Sequence, residues 1–118
     1  MYPPSNGRLA RGLFWAAALF AFVMAVLPHP PQLPDAPSDK VQHIIAFTTL
    51  TLLGSWAYAT ARPLKLLLAL SLFGAVIEIV QAIPVLHRDP ELLDWLADSA
   101  AVAVVLLLVR LLRRRMAR

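Results

Sequence analysis

Four runs of apolar residues, each about as long as a membrane-spanning helix, alternate with short polar segments along the chain. They cover residues 9–27, 41–61, 64–83 and 92–112. A bilayer core about 30 Å thick takes roughly 20 helical residues, at a rise of about 1.5 Å each. The pattern therefore predicts an all-α integral membrane bundle of about four transmembrane helices.

The segment between the first two runs is rich in proline. Residues 28–37 contain five prolines, which exclude a helix and predict an extended linker. Ser38 or Asp39 is expected to cap the second helix, and Asp39 with Gln42 matches a capping box. The linker thus separates the first helix from the remaining three.

Proline also marks the boundaries of the last two helices. Pro63 is expected at the first position of the third helix, and Pro84 is expected to end that helix. The segment Asp89, Pro90, Glu91 predicts the start of the fourth helix, with a capping aspartate and a first-turn proline. The connections between these helices are therefore short.

These boundaries divide the chain into three parts. Residues 1–37 form an N-terminal transmembrane anchor with its outer linker, residues 38–112 a three-helix region, and residues 113–118 a basic cytoplasmic tail. Because Arg8 and Arg11 are followed by an apolar stretch, the first run could instead be a cleaved signal peptide. The segment that follows offers no A-x-A-like cleavage site, which favours an uncleaved helix.

Composition agrees with a lipid environment. The chain is 59% hydrophobic and only 15% charged, with a mean hydropathy of +0.68, so charge is too scarce to cover a soluble domain. The net charge of +4 does not indicate nucleic acid, because the basic residues lie at the ends of apolar runs. Without cysteine, the chain forms no disulfide and no thiolate metal site.

The distribution of charge predicts the orientation. All seven acidic residues fall in one half of the predicted bundle, and only Lys40 and Arg88 among the basic residues join them. The other basic residues fall on the opposite side, which the positive-inside rule assigns to the cytoplasm. Both termini are therefore predicted to be cytoplasmic. The basic residues of that side are Arg8, Arg11, Arg62, Lys65, Arg110, Arg113, Arg114, Arg115 and Arg118.

Acidic residues interrupt the apolar runs near the predicted outer side. Glu78 lies five residues before Ile83, so it is expected about 7 Å below the outer surface at about 1.5 Å per residue. Asp98 is expected at a similar depth in the fourth helix. A charge at the bilayer centre costs at least about 2.5–3.5 kcal/mol, so an acid within a membrane is a functional-site hypothesis.

Helical spacing groups the outer polar residues on shared faces. Pairs three or four positions apart occur on the second, third and fourth helices, and Ser71 with Gly74 would let another helix approach closely. Two helix N-termini also point outward. The predicted binding cluster comprises Asp39, Lys40, His43, Glu78, Gln81, Arg88, Asp94 and Asp98.

Most of these residues also have a structural explanation. Asp39 and Asp89 are expected as helix caps, Gln81 can bridge helices, and a histidine such as His43 near an interface is commonly a hydrogen-bonded structural residue. Glu78 is the exception, because a structural role could use a less costly residue. We therefore place Glu78 at the centre of the functional hypothesis.

The cluster supports several kinds of chemistry. A histidine with three acids could bind a metal through nitrogen and oxygen, but no H-E-x-x-H or comparable spacing occurs, so we predict no metal site and no cofactor. Paired carboxylates could exchange protons. Lys40, Arg88 and the helix N-termini could hold a lipid phosphate or carboxylate. Serine hydrolysis has no support, because no G-x-S-x-G occurs.

Four short motifs follow one another on the predicted helices. They are D-K-x-x-H from Asp39 to His43, E-x-x-Q from Glu78 to Gln81, Arg88, and D-x-x-x-D from Asp94 to Asp98. Together they resemble the VanZ-like family, in which D-K-x-x-H opens one helix and E-x-x-Q lies on the next. In that family an arginine then precedes D-x-x-x-[ND] at the start of the last helix. The resemblance covers about residues 38–112. The chain has Asp98 where many members have Asn, and Ala101 where a glycine commonly follows.

The resemblance implies a multi-pass protein of the bacterial cytoplasmic membrane that acts on the cell envelope. The family's namesake is associated with resistance to the glycopeptide teicoplanin. The expected partners are membrane lipid and a cell-wall precursor or glycopeptide-related ligand, and a homodimer is left open because four short helices barely enclose a cavity. The resemblance does not decide whether the chain is an enzyme.

Four functional hypotheses remain at this point. The preferred one is a binding or accessory module whose outer-leaflet cluster binds a lipid headgroup or cell-wall precursor. The second is a small proton-coupled transporter, although the first run contains no acid. The third is a membrane hydrolase or transferase acting on a lipid-linked substrate, and the fourth is a helical scaffold whose polar groups only tie helices together.

Overall fold

The computed structural model describes residues 4–27, 38–86 and 90–117, and these residues are almost entirely helical. The four α-helices are α1 (Pro4–Val26), α2 (Asp39–Ala57), α3 (Pro63–Gln81) and α4 (Leu92–Met116), and a 3₁₀ turn (Pro84–Leu86) follows α3. The described part contains no strand. The predicted all-α class is therefore confirmed, while the predicted extended linker over residues 28–37 lies outside the described residues.

The start of α2 is fixed by Ser38. Its side chain accepts a hydrogen bond from the backbone N–H of Val41 at 3.3 Å, which satisfies one of the free amides of the first turn. Asp39 is already the first helical residue. Of the two predicted caps, Ser38 is therefore the one found at the N-cap. The side chain of Asp39, on which the predicted capping box with Gln42 depends, lies outside the described residues.

The two predicted proline boundaries of α3 are found in the structure. Pro63 is its first residue, where the missing N–H costs nothing because the first turn has no acceptor for it. The helix ends at Gln81, and Pro84 begins the 3₁₀ turn that follows. Short connections therefore join α3 to both of its neighbours.

The start of α4 differs from the prediction. Pro90 is predicted in its first turn, but α4 begins at Leu92, and Glu91 precedes it with an extended backbone (φ −132°, ψ 130°). The N–H of Glu91 donates to the carboxylate of Glu78 at 2.9 Å, so an amide that has no acceptor within α4 is satisfied by a side chain of α3. The predicted cap Asp89 lies outside the described residues.

The four helices alternate in direction. His43 and Asp98 meet near the starts of α2 and α4, and Arg113 donates to the Ser55 carbonyl at 2.7 Å near their ends, so these two helices run in parallel. The contact of Glu78 with Glu91 places the end of α3 beside the start of α4. The result is an up-down-up-down bundle in which α2 packs mainly on α1 and α4, and α3 mainly on α4.

The interior is small and the outer surface is strongly apolar. Phe47, Ile77 and Val102 are almost fully buried between the helices. Large side chains such as Phe20 on α1 and Ile79 on α3 are instead about two-thirds exposed. Because soluble proteins rarely present continuous apolar surface of this kind, lipid is the natural solvent for these faces.

Three of the helices are long and apolar enough to cross a membrane. They span Gly7–Val26, Pro63–Gln81 and Leu92–Met116. The helix α2 is not among these three in the described part of the chain, since its 19 residues include polar groups in the first turns and a run with three threonines. A membrane protein is therefore indicated, with three candidate spans in place of the four predicted.

Candidate binding site

The starts of α2 and α4 bring His43 and Asp98 into contact. The Nδ1 atom of His43 lies 3.3 Å from the Oδ2 atom of Asp98. When the carboxyl group is ionised it can only accept, and the imidazole is then the donor. The Asp98 side chain is 1% exposed, whereas that of His43 is 13% exposed. This pair forms the buried base of the site.

Glu78 reaches the same region from the end of α3. Its Oε2 atom accepts the hydrogen bond from the Glu91 backbone, and its Oε1 atom is buried without a hydrogen-bond partner among the described residues. The Oδ1 atom of Asp98 is also buried without a hydrogen-bond partner in the part of the chain that the structure describes. Within the described ranges, these two buried carboxylate oxygens therefore have no donor, and a buried acceptor without a donor is costly unless a ligand supplies one.

Asp94 completes a compact group with His43 and Glu78. One ligand atom of each of the three side chains lies within 4.8 Å of the other two. The three residues come from α2, α3 and α4, so the folded bundle assembles a group that no spacing in the sequence displays. Asp94 itself is only 8% exposed, so little water can compete with a ligand for its carboxylate.

Lys40 lies at the rim of this group. Its Nζ atom is 4.0 Å from both the Asp94 Oδ1 atom and the Glu91 Oε2 atom, and about half of its side chain is exposed. Exposed ion pairs of this kind contribute about 0–1 kcal/mol. Lys40 is therefore a half-exposed positive group beside the site. Its second partner, Glu91, is predicted from the sequence only at the start of the fourth helix.

Gly74 lets α2, α3 and α4 converge beneath the site. A Cβ atom at this position would lie 3.3 Å from Phe47, 3.4 Å from Trp95 and 3.6 Å from the Oδ2 atom of Asp98. Trp95 also donates its indole N–H to the Ser71 carbonyl at 2.9 Å. The predicted close approach along Ser71 and Gly74 thus occurs, and it positions Asp98 from below.

Three of the predicted site residues are not part of this group in the structure. One of them contacts another helix, and the other two lie partly or wholly outside the described residues. The side-chain amide of Gln81 donates to the carbonyl of Ala25 at 2.8 Å and so ties α3 to α1, as its structural explanation anticipates. The backbone of Asp39 opens α2, but its side chain lies outside the described residues, as does Arg88 entirely. The residues that the structure brings together are Lys40, His43, Glu78, Asp94 and Asp98.

The chemical character of the site is that of an acceptor. Three carboxylates, those of Glu78, Asp94 and Asp98, lie around one histidine, with Lys40 outside them. Carboxylate oxygens accept hydrogen bonds or bind cations. The described part of the site is therefore suited to ammonium groups, hydroxyl groups or a metal ion, and it would need an added cation to hold a bare phosphate.

Comparisons with known proteins leave the family undecided. No family model, no curated protein sequence and no solved structure matches the chain. The polar cluster and the four short motifs are therefore the observations from which a function can be inferred.

Proposed function

We propose that the chain is a VanZ-like protein of the bacterial cytoplasmic membrane whose outer-leaflet site binds the polar head of a lipid or cell-wall precursor. It acts as a binding or accessory module of the cell envelope. The observation that carries this proposal is the assembly of His43, Glu78, Asp94 and Asp98 at one end of the bundle. Polar groups so costly in lipid are retained where they have partners or a function.

The proposal includes four crossings of the membrane. Contacts with α4 near both ends of α2 support a fourth span, since they hold α2 alongside a helix that is long enough to cross. The polar side chains His43 and Thr51 are partly or wholly buried inside the bundle, so they need not meet lipid. With both termini cytoplasmic, the site faces the outer leaflet.

The free acceptors define the group that the site would bind. The Oε1 atom of Glu78 and the Oδ1 atom of Asp98, which have no partner among the described residues, can accept hydrogen bonds from a ligand. Suitable donors are the hydroxyl groups of a sugar or glycerol, or an ammonium group. Lys40 offers a positive charge at the rim for a neighbouring phosphate. A headgroup that joins a phosphate to hydroxyl or amino groups satisfies both requirements.

The proposal is tested by teicoplanin tolerance in a susceptible Gram-positive host. Wild type, Glu78→Gln and His43→Ala are expressed at matched membrane abundance, with Ile79→Ala as the control. Ile79 follows Glu78 on α3 and is 70% exposed, so its truncation leaves the site intact. We expect raised tolerance with wild type and the control, and loss of the effect in both site variants.

A direct binding measurement accompanies the tolerance assay. The purified chain is analysed by native mass spectrometry for co-purifying lipid or lipid-linked precursor, with the same variants. Retention in wild type and Ile79→Ala, but not in His43→Ala, is expected. Equal lipid retention in all four proteins, together with unchanged tolerance, would show that the polar cluster only ties the helices together.

A further inference from the structure

We infer that His43, Glu78 and Asp94 form a binding site for a divalent transition metal of the Zn²⁺ class. The inference rests on the proposed function, because the metal would form part of the same outer-leaflet site. Its ligands would be one imidazole nitrogen and two carboxylate oxygens, a nitrogen and oxygen set that suits Zn²⁺ in the absence of cysteine. Two carboxylates also balance the charge of the ion.

The separations of the three ligand atoms are close to those that a metal requires. A zinc ion about 2.1 Å from each ligand in tetrahedral geometry separates the ligand atoms by about 3.4 Å. In the structure the three atoms lie within 4.8 Å of one another. To hold a zinc ion, the ligand atoms would therefore have to approach one another by at most about 1.4 Å.

Asp98 supplies an independent observation in favour of a metal. It is almost fully buried and contacts the imidazole of His43 through one oxygen, while its other oxygen has no partner among the described residues. Metal-binding histidines commonly donate their second ring N–H to such a carboxylate, which fixes the ring and increases its basicity. A zinc ion bound through Nε2 of His43 would leave this contact of Nδ1 with Asp98 in place.

A metal with three protein ligands keeps a position for an outside ligand. In zinc sites of this type the fourth position holds water or a substrate oxygen. A phosphate or hydroxyl oxygen of a headgroup could occupy it here. The metal would thus convert a carboxylate-rich pocket, which repels anions, into one that binds the anionic part of a lipid.

Of the cations that the structure describes, Lys40 lies beside the proposed metal ligands. Its Nζ atom lies 4.0 Å from Asp94, yet its side chain is half exposed and can turn toward water. Removal of this charge, as in Lys40→Gln, should leave the ligand set intact and reduce repulsion of the ion. Zinc binding by Lys40→Gln is therefore expected to be as tight as in wild type or tighter.

The test measures Zn²⁺ binding to the full chain in detergent after removal of metal with a chelator. Isothermal titration calorimetry and elemental analysis give the affinity and the stoichiometry. We expect one zinc per chain, no stoichiometric binding in His43→Ala, and binding about 10- to 100-fold weaker in Asp98→Asn, where only the supporting contact changes. Circular dichroism and gel filtration establish that each variant is folded.

Gln81→Ala is the matched control, because Gln81 lies one turn from Glu78 on the same helix but donates to α1. Zinc binding should be unchanged in this variant. Substoichiometric binding in wild type, or equal affinity in wild type and His43→Ala, would mean an adventitious ion only and would overturn the inference.

The two proposals fail separately. Teicoplanin tolerance or lipid retention by a chain that binds no zinc overturns the metal site and leaves the headgroup function standing. Stoichiometric zinc binding that depends on His43 but is accompanied by neither tolerance nor lipid retention supports the metal site and overturns the envelope function.

Discussion

The hydrogen bond between the Glu78 carboxylate and the Glu91 backbone makes a quantitative prediction about the start of α4. The N–O distance is 2.9 Å, and hydrogen bonds to charged groups contribute about 1.5–3 kcal/mol. Since 1.4 kcal/mol corresponds to about a factor of ten, Glu78→Ala should speed hydrogen exchange at the Glu91 amide by roughly 10- to 150-fold. Glu78→Gln keeps a neutral acceptor, so roughly a fivefold increase is expected.

The assay is hydrogen exchange of the ¹⁵N-labelled chain in detergent micelles, followed amide by amide. The amide of Asp94, which donates to the Glu91 carbonyl at 3.0 Å, reports fraying of the first turn of α4. The amide of Leu106, deep in the same helix, serves as the internal control. Equal exchange at Glu91 in wild type and Glu78→Ala would refute the assignment of Glu78 as the anchor of α4.

Two further predictions concern helix packing, and both are measured by reversible unfolding in mixed detergent. Gln81→Ala removes the hydrogen bond to the Ala25 carbonyl, and a loss of about 0.6 kcal/mol is expected, the mean for hydrogen bonds between membrane helices. Gly74→Leu places a side chain where even a Cβ would lie 3.3 Å from a neighbour, and should cost about 1–3 kcal/mol. Gly12→Leu, with nothing within 4 Å of its Cβ position, should cost nothing, and equal losses in both glycine variants would contradict the packing.

The sequence predicts the helices well because their boundaries are local. Apolar runs set the lengths, Pro63 sets the start of α3, and a serine hydroxyl selects the start of α2. The start of α4 is harder to predict, since Pro90 and Glu91 match a helix start locally. In the structure Glu91 is the extended N-cap residue, and its amide bonds to Glu78 on α3, a tertiary contact that no local pattern contains.

The candidate site is predictable only in part for the same reason. Helical spacing correctly places Asp94 and Asp98 on one face, because four residues make about one turn. The group of His43, Glu78 and Asp94 depends instead on the packing of three helices. For Gln81 helical spacing is misleading. Spacing groups this residue with Glu78, one turn away, but its side chain donates to α1. Helical spacing identifies the residues that share one face of a helix, but not the neighbouring residue that each side chain contacts.

The two carboxylate oxygens of Glu78 support different explanations of this residue, one structural and one functional. Oε2 accepts a hydrogen bond from the Glu91 amide, whereas Oε1 is buried and has no donor in the described part of the chain. A purely structural acid would need only the first contact, and a neutral amide could provide it at lower cost in lipid. A residue that only ties helices together would not require the second oxygen, Oε1. Glu78→Gln, which keeps an acceptor for α4 but removes the charge that a cation or ammonium group would meet, therefore separates the two explanations more sharply than truncation to alanine.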